Sequence, residues 1–310
     1  MLLKASIDLG TNTCLLLIAE WDEDEDRIGR VLGDFQNVVR LGQGVDVERK
    51  LHPEAKNRTL ACLHDYAAKV RNLGGDPSRA ICVATSQARD ARDSGEFFAQ
   101  VERETGFRFR VISGEEEARC TFLGALLPGM DPARAAVIDI GGGSTEIVTR
   151  SGGASVGQSL DIGSVRFTER FIKSDPVQDE EFWACQRAID DALAGLKPGI
   201  DRRRAQGPLD LVAVAGTATS LAQWHLGLEK FDARAIDECT LTRGDIHRLV
   251  EELKWRNQDE RRAIPGMEPK RADVLLAGAM ILWRAHEVLG FPSCRVSTRG
   301  LRYGVLSRPS

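Results

Sequence analysis

One turn of unusual composition occurs twice in this 310-residue chain, and its repetition constrains the fold more than any other feature. Ser6-Ile7-Asp8-Leu9-Gly10-Thr11-Asn12-Thr13 returns, altered, as Val137-Ile138-Asp139-Ile140-Gly141-Gly142-Gly143-Ser144-Thr145. In each copy an apolar run ends at Asp, and a glycine turn carrying hydroxyl or amide side chains leads into a second apolar run. Glycine lets the backbone approach a ligand closely and turn its amide N–H groups onto an anion. An Asp at a strand end can hold a hydrated divalent cation, which usually keeps several waters and takes one or two carboxylates. Asp before Gly is also ordinary hairpin chemistry. The shared apolar-Ile-Asp-apolar-Gly pattern, one copy per half, points beyond that to two related lobes gripping a metal-bound phosphate between them.

The order of elements supports the duplication. Alternating β-formers predict strands over residues 3–8, 14–20 and 28–39 around the acidic turn Asp22–Asp26. A helix is expected over 53–73, with Pro53 in its first turn and Leu60, Leu63, Ala67 and Val70 at 3–4 spacing. Strand Ala80–Ala84, a helix between Gly95 and Gly106, and strand Phe107–Ile112 complete the first half. The second half repeats the theme with strands Ala135–Ile140, Glu146–Thr149, Ala154–Leu160, Leu209–Val214 and Cys294–Ser297. Helices are expected near 178–195, 217–227, 243–255 and 270–289, and Gly199–Gly207, with Arg202, Arg203 and Arg204, reads as an exposed connector. Each Asp-glycine turn joins two strands, whereas Walker and Rossmann turns join a strand to a helix, and neither of those motifs occurs. The architecture expected is therefore α/β, duplicated, with a cleft between lobes.

Composition excludes several classes. The net charge of −4 argues against a general nucleic-acid binder, though not against a polyanionic substrate in a local basic groove. No apolar run reaches the ~18 residues of a membrane helix, and the N-terminal residues are no secretory signal. The seven cysteines lack any C-x-x-C pair, which fits buried free thiols in a reducing cytosol.

Further residues could carry chemistry. Glu146 lies on the strand leaving the second turn and could add an oxygen ligand to a metal-bound water; an exposed strand carboxylate is the simpler reading. Gly216-Thr217 opens a helix after a buried strand, where N–H groups and dipole favour an anion, although this is also a routine cap. In Ser113-Gly114-Glu115-Glu116-Glu117, acidic residues offset the helix dipole and Ser113-x-x-Glu116 forms a capping box. That leaves Glu117, rather than Glu116, free to orient or deprotonate a water. Ser86 can donate to a phosphate oxygen and Arg89 can pair with one bidentately, the alternative being a helix cap and an Arg89–Asp90 surface pair.

These blocks resemble the exopolyphosphatase/guanosine pentaphosphate phosphohydrolase (Ppx/GppA) family, within the superfamily of duplicated ribonuclease-H-like lobes that includes actin, Hsp70 and the sugar kinases. Ser113-Gly114-Glu115-Glu116-Glu117-Ala118 together with Ile138-Asp139-Ile140-Gly141-Gly142-Gly143-Ser144-Thr145-Glu146 carries the resemblance most specifically. Asp161–Arg166, Ala215–Thr217, Arg271–Asp273 and Thr298–Arg302 extend it over nearly the whole chain. The resemblance implies a hydrolase removing terminal phosphate from inorganic polyphosphate or from guanosine pentaphosphate, polyphosphate being preferred because the chain looks like the short two-domain form. It implies Glu117 as catalytic base, Asp8, Asp139 and Glu146 as organisers of Mg²⁺ or Mn²⁺, and Gly10, Thr11, Asn12, Thr13, Ser86, Arg89, Gly141, Gly142, Gly143, Ser144, Thr145, Gly216 and Thr217 as phosphate contacts. Lobes over 1–124 (joined by 299–310) and 125–298, a homodimer and a cytoplasmic location complete the expectation. A guanosine tetraphosphate-sensing binding protein and an ATP-dependent small-molecule kinase are the competing classes. Tyr303 stands where this family pattern would place an acidic residue.

Overall fold

The computed structural model describes residues 2–151 and 154–307. The chain divides into two compact units, one running to Gly124 and rejoined by the segment from Leu301, the other spanning Ala125–Gly300. In the first, strands β1 (Leu2–Leu9), β2 (Thr13–Asp22), β3 (Arg27–Val38), β4 (Ile81–Ala84) and β5 (Phe109–Val111) form a sheet in the order β3-β2-β1-β4-β5. The three long strands are antiparallel, whereas β4 is parallel to β1 and β5 to β4. Helices α1 (Val45–Glu48), α2 (Pro53–Asn72), α3 (Ser86–Asp90), α4 (Ser94–Thr105) and α5 (Gly114–Ala125) connect them.

The second sheet comprises β6 (Ala135–Ile140), β7 (Thr145–Ser151), β8 (Ala154–Leu160), β9 (Asp210–Val214), β10 (Thr240–Thr242) and β11 (Ser293–Val296), ordered β10-β11-β9-β6-β7-β8. Its helices are α6 (Ser164–Phe171), α7 (Asp179–Ala194), α8 (Lys197–Arg204), α9 (Ala215–His225), α10 (Ala233–Glu238), α11 (Arg243–Trp255), α12 (Gln258–Arg262) and α13 (Leu275–Leu289), and α14 (Leu301–Leu306) returns to the first unit. Strands β6, β7 and β8 are antiparallel, with β9 parallel to β6 and β11 parallel to β9. Apart from the added edge strand β10, order and direction repeat those of the first sheet. The chain is thus an α/β protein of two related units, as the duplicated turn predicted, and these are the ribonuclease-H-like lobes that the family resemblance implied.

Local chemistry explains the elements that flank the turns. Helix α2 starts at Pro53, with the ring of His52 accepting from Glu54 N, and buries Ala55, Thr59, Cys62, Leu63, Tyr66, Ala67 and Val70 along one stripe. These pack on the β1–β2 face that presents Ile7, Leu9, Cys14, Leu16 and Ile18. The opposite face is covered by α14, whose Tyr303 and Leu306 pack with Leu17 and Trp21. Arg302 fixes that helix: its Nε and Nη2 donate to the two carboxylate oxygens of Asp34 at 2.7 and 2.8 Å, and Tyr303 Oη donates to the same carboxylate at 2.9 Å. Tyr303 therefore supplies a hydroxyl to Asp34 where the family pattern would place a charge.

Two expectations fail. Gly199–Gly207 is no open connector, because Lys197–Arg204 is helical, with Pro198 in the first turn and Ile200 buried. Arg203 Nε donates to Arg150 O at 2.7 Å and Arg204 Nη2 to Leu289 O at 3.0 Å, so these two half-buried side chains satisfy carbonyls, while Arg202 is exposed as expected. The helix expected from residue 270 begins at Leu275, since Pro269–Arg271 forms a turn of 3₁₀ helix capped by Glu268. Helix α13 buries 12 residues on nearly every side, as a core helix does.

Candidate active site

The parallel strands of the first unit end level with one another, Leu9 pairing with Ala84 and Ala84 with Val111. Open α/β sheets bind ligands at this carboxyl edge, and here the first glycine turn leaves β1, α3 leaves β4 and α5 follows β5. Gly10 N donates to Thr13 O at 2.8 Å, Thr11 O accepts from Gly42 N, and Asn12 O accepts from Val39 N and Arg40 N. The carbonyls of Thr11 and Asn12 are thereby occupied, while the N–H groups of the same two residues meet no backbone acceptor among the described residues. Thr11 Oγ1 lies 3.0 Å from Ser86 Oγ and 3.3 Å from Gln87 Oε1, and Gln87 Nε2 donates to Leu9 O at 2.7 Å. Buried Gln87, absent from the sequence reading, braces the turn against α3.

Arg89 and Glu117 meet directly. Arg89 Nη1 donates to Glu117 Oε2 and to Ile112 O, both at 2.8 Å. Its Nε and Nη2 have no acceptor among the described residues and remain available to an anion. The alternative pairing of Arg89 with Asp90 does not form; Asp90 lies 3.6 Å from Arg49. Glu117 is 7% exposed, whereas Glu115 is exposed and Glu116 pairs with Arg110 at 2.7 Å. The Glu116 N–H donates to Ser113 Oγ at 3.1 Å, which is the capping bond expected of that residue. Asp8 is half-buried near the end of β1, opposite Leu15 of β2, and Thr13 opens β2.

The second unit repeats this construction. Asp139 pairs with Val214, and Ala213 with Val296, so β6, β9 and β11 also end at one edge. Gly141 N donates to Ser144 O at 3.0 Å, the counterpart of the Gly10–Thr13 bond. Helix α6 then captures the turn's carbonyls: Ser164 N donates to Gly141 O, Val165 N and Arg166 N to Gly142 O, and Arg166 Nε to Gly143 O at 2.7 Å. Among the described residues the N–H groups of Gly142, Gly143 and Ser144 have no backbone acceptor. Three successive amides without a backbone partner suit an anion. Thr145 is engaged otherwise, its hydroxyl donating to Ile162 O at 2.6 Å.

Glycines permit the close approaches behind this turn. Gly163 is extended (φ −149°, ψ 159°), a conformation open to any residue, but a Cβ there would lie 2.4 Å from Gly142 O. A Cβ on Gly278 would lie 2.4 Å from Thr217 Oγ1 and 3.2 Å from Ser164 Cβ, which brings α6, α9 and α13 together. Gly216, in the first turn of α9, leaves room for the guanidinium of Arg271, whose Nη1 would be 1.1 Å from an added Cβ. Burial lowers the Arg271 pKa to about 10, against the opposing charge of Glu268. Ala215, which opens α9, holds φ +67°, a conformation costing about 1–3 kcal/mol in a non-glycine residue.

Asp139 and Glu146 are direct cross-strand partners and so project from the same face of the sheet. Ser159 Oγ, next in the same row, donates to Glu146 Oε1 at 2.6 Å. Two adjacent carboxylates suit a hard divalent cation such as Mg²⁺. No cluster of three or more His, Cys, Asp or Glu forms a metal cage among the described residues, so water or phosphate oxygens would complete the shell. Asp8 belongs to the first unit.

Residues 22–309 match the model of the Ppx/GppA phosphatase family. A bifunctional 3-dehydroquinate synthase/phosphatase of Fusobacterium nucleatum is 35% identical over 288 residues, which is 90% of this chain but only 42% of that longer protein. Exopolyphosphatase 2 of Mycobacterium tuberculosis is 35% identical over 290 residues, covering 90% of this chain and 88% of its own length. The crystal structure of an exopolyphosphatase from Cytophaga hutchinsonii matches with a TM-score of 0.88 at 27% identity, over 98% of this chain and 96% of that one. The chain belongs to the Ppx/GppA phosphatase family.

Proposed function

We propose that the chain is an exopolyphosphatase that hydrolyses the terminal phosphate of inorganic polyphosphate with a divalent cation. The observation that carries this reading is the pairing of Glu117 with Arg89 at a strand edge that also holds an amide-lined turn. Phosphoryl transfer depends mainly on positioning and charge stabilisation, so a carboxylate clamped by a guanidinium suits a water-orienting role. The remaining donors of Arg89 would take a phosphate oxygen, and the amides of the first glycine turn would hold others. Asp139 and Glu146 would hold Mg²⁺, which supplies neutralisation of phosphate charge when bound. The relatives named exopolyphosphatase support polyphosphate as substrate.

The test is phosphate release from polyphosphate and from guanosine pentaphosphate, side by side, with Mg²⁺ and with Mn²⁺. Faster release from polyphosphate is expected. Turnover of guanosine pentaphosphate alone would replace the substrate, and phosphorylation of a small molecule strictly dependent on ATP would replace hydrolysis by kinase chemistry. Tight guanosine tetraphosphate binding without any turnover would make the chain a sensor.

A further inference from the structure

One carboxamide anchors both sides of the first glycine. Gln87, in α3 and 2% exposed, donates through Nε2 to Leu9 O at 2.7 Å, the carbonyl that immediately precedes Gly10. A carbonyl only accepts, so this bond fixes the orientation of the amide and turns Oε1 towards the hydroxyls of Thr11 and Thr85, 3.3 and 3.4 Å away. Thr11 has one hydroxyl proton and directs it at Oε1; in its 3.0 Å contact with Ser86 Oγ it is therefore the acceptor. The loop leading to Gly42 closes over this pair, since a Cβ on Gly42 would lie 2.3 Å from Thr11 Cγ2 and 3.0 Å from Gln87 Cβ. Asn12 Oδ1, by contrast, is buried and meets no donor among the described residues, so that oxygen adds nothing to the anchorage.

We propose that Gln87 is a positioning residue for phosphate at the first glycine turn, acting through Leu9 O and Thr11 Oγ1 without touching the substrate itself. The proposal rests on the reading of that turn as a phosphate cradle. Gln87 holds Leu9 by its carbonyl and Thr11 by its hydroxyl, and Gly10 between them has no side chain with which to hold itself. The Thr11 N–H lies between these two anchors and the Asn12 N–H just beyond them, and neither meets a backbone acceptor among the described residues. In this arrangement the hydroxyl protons of Ser86 and Thr11 run inward to Gln87, and the two amides are the donors that a phosphate oxygen finds. Hydrogen bonds weaken steeply as they bend, so the grip of those amides depends on the anchors that keep the peptide planes from rotating. Losing one well-aligned bond to a charged oxygen weakens binding by about tenfold or more.

The test is Gln87→Met, which keeps the side chain's length and removes both its donor and its acceptor. With polyphosphate as substrate, KM should rise about tenfold while kcat stays within about twofold of the parent. A merely structural role would reduce the folded fraction, lowering apparent kcat and leaving KM unchanged, and that result overturns the proposal. Thr11→Val completes a double-mutant cycle: the double variant should be no worse than the poorer single one, whereas simple additivity would show that Gln87 does not act through Thr11. Amide hydrogen exchange, measured without substrate, reads the turn directly. The amides of Gly10, Val39, Arg40 and Gly42 donate to Thr13 O, Asn12 O, Asn12 O and Thr11 O, so in Gln87→Met they should exchange about tenfold faster, with Gly141 of the second turn unaffected. Unchanged exchange at those four amides overturns the proposal. If the parent chain releases no phosphate from polyphosphate, the function proposed above falls, and the exchange result decides the role of Gln87 by itself.

Discussion

Replacing Gly163 with alanine adds one methyl group where the structure has least room for it. The Cβ would sit 2.4 Å from Gly142 O, 2.5 Å from Gly142 C and 2.6 Å from Gly143 C, whereas ordinary van der Waals contact begins at 3.4 Å. All three obstacles are backbone, so no side chain can swing aside. The turn or the start of α6 must retreat by about 1 Å, a misplacement that costs on the order of 10²-fold in rate when it reaches a catalytic site. The retreat stretches four bonds that now hold the turn, from Ser164 N, Val165 N, Arg166 N and Arg166 Nε. Overpacking of this kind destabilises by about 1–3 kcal/mol. Because Gly163 is extended, its backbone conformation adds no penalty for alanine, and the whole effect is steric. Phosphate release should therefore fall about 100-fold while the far-ultraviolet circular dichroism of the folded protein persists. Gly95→Ala is the control, since a Cβ there meets nothing within 4 Å. Activity and melting temperature of Gly163→Ala equal to those of the parent would refute the account of how α6 positions the turn.

Two further predictions concern buried charge. Arg302→Met removes the cation that pairs bidentately with Asp34, and breaking such a pair costs about 3 kcal/mol, the low end of the usual range because Asp34 keeps 30% exposure. The urea midpoint should drop accordingly, and an unchanged midpoint would show that α14 is not held by this contact. His286 is fully buried, its Nδ1–H donating to Phe291 O at 3.0 Å, and burial lowers its pKa. As pH falls through roughly 6.5 the unfolded chain takes a proton that the folded one refuses, so stability falls with pH in that window. His286→Gln should flatten the dependence of the urea midpoint between pH 7 and 5; an equal slope in both proteins would exclude His286 as a source.

What could be read in the sequence was local. Both hairpin turns, their Asp residues and the repeated strand order follow from short motifs and from period-2 and 3–4 spacing, and the structure reproduces them. Contacts between distant segments were not legible. Asp34 and Arg302 meet across 268 positions, and the need for glycine at 163 arises only because a turn 20 residues earlier folds against it. Arg203 and Arg204 of α8 looked fully solvated because composition cannot reveal a carbonyl waiting at the end of a long side chain. Glu117 and Arg89 were each singled out for chemistry, but their mutual bond depends on β4 and β5 ending level.

The most direct test of the central claim is the rate of phosphate release from polyphosphate by Glu117→Gln, measured with polyphosphate binding in the same preparation. Glutamine keeps the side chain's size and can still accept from Arg89, while losing the charge that orients or deprotonates water. The account predicts retained binding and release slowed by about 10²–10⁴. Near-parental turnover would contradict it, because the bond between Arg89 and Glu117 would then be structural and the attacking water would be placed by other residues.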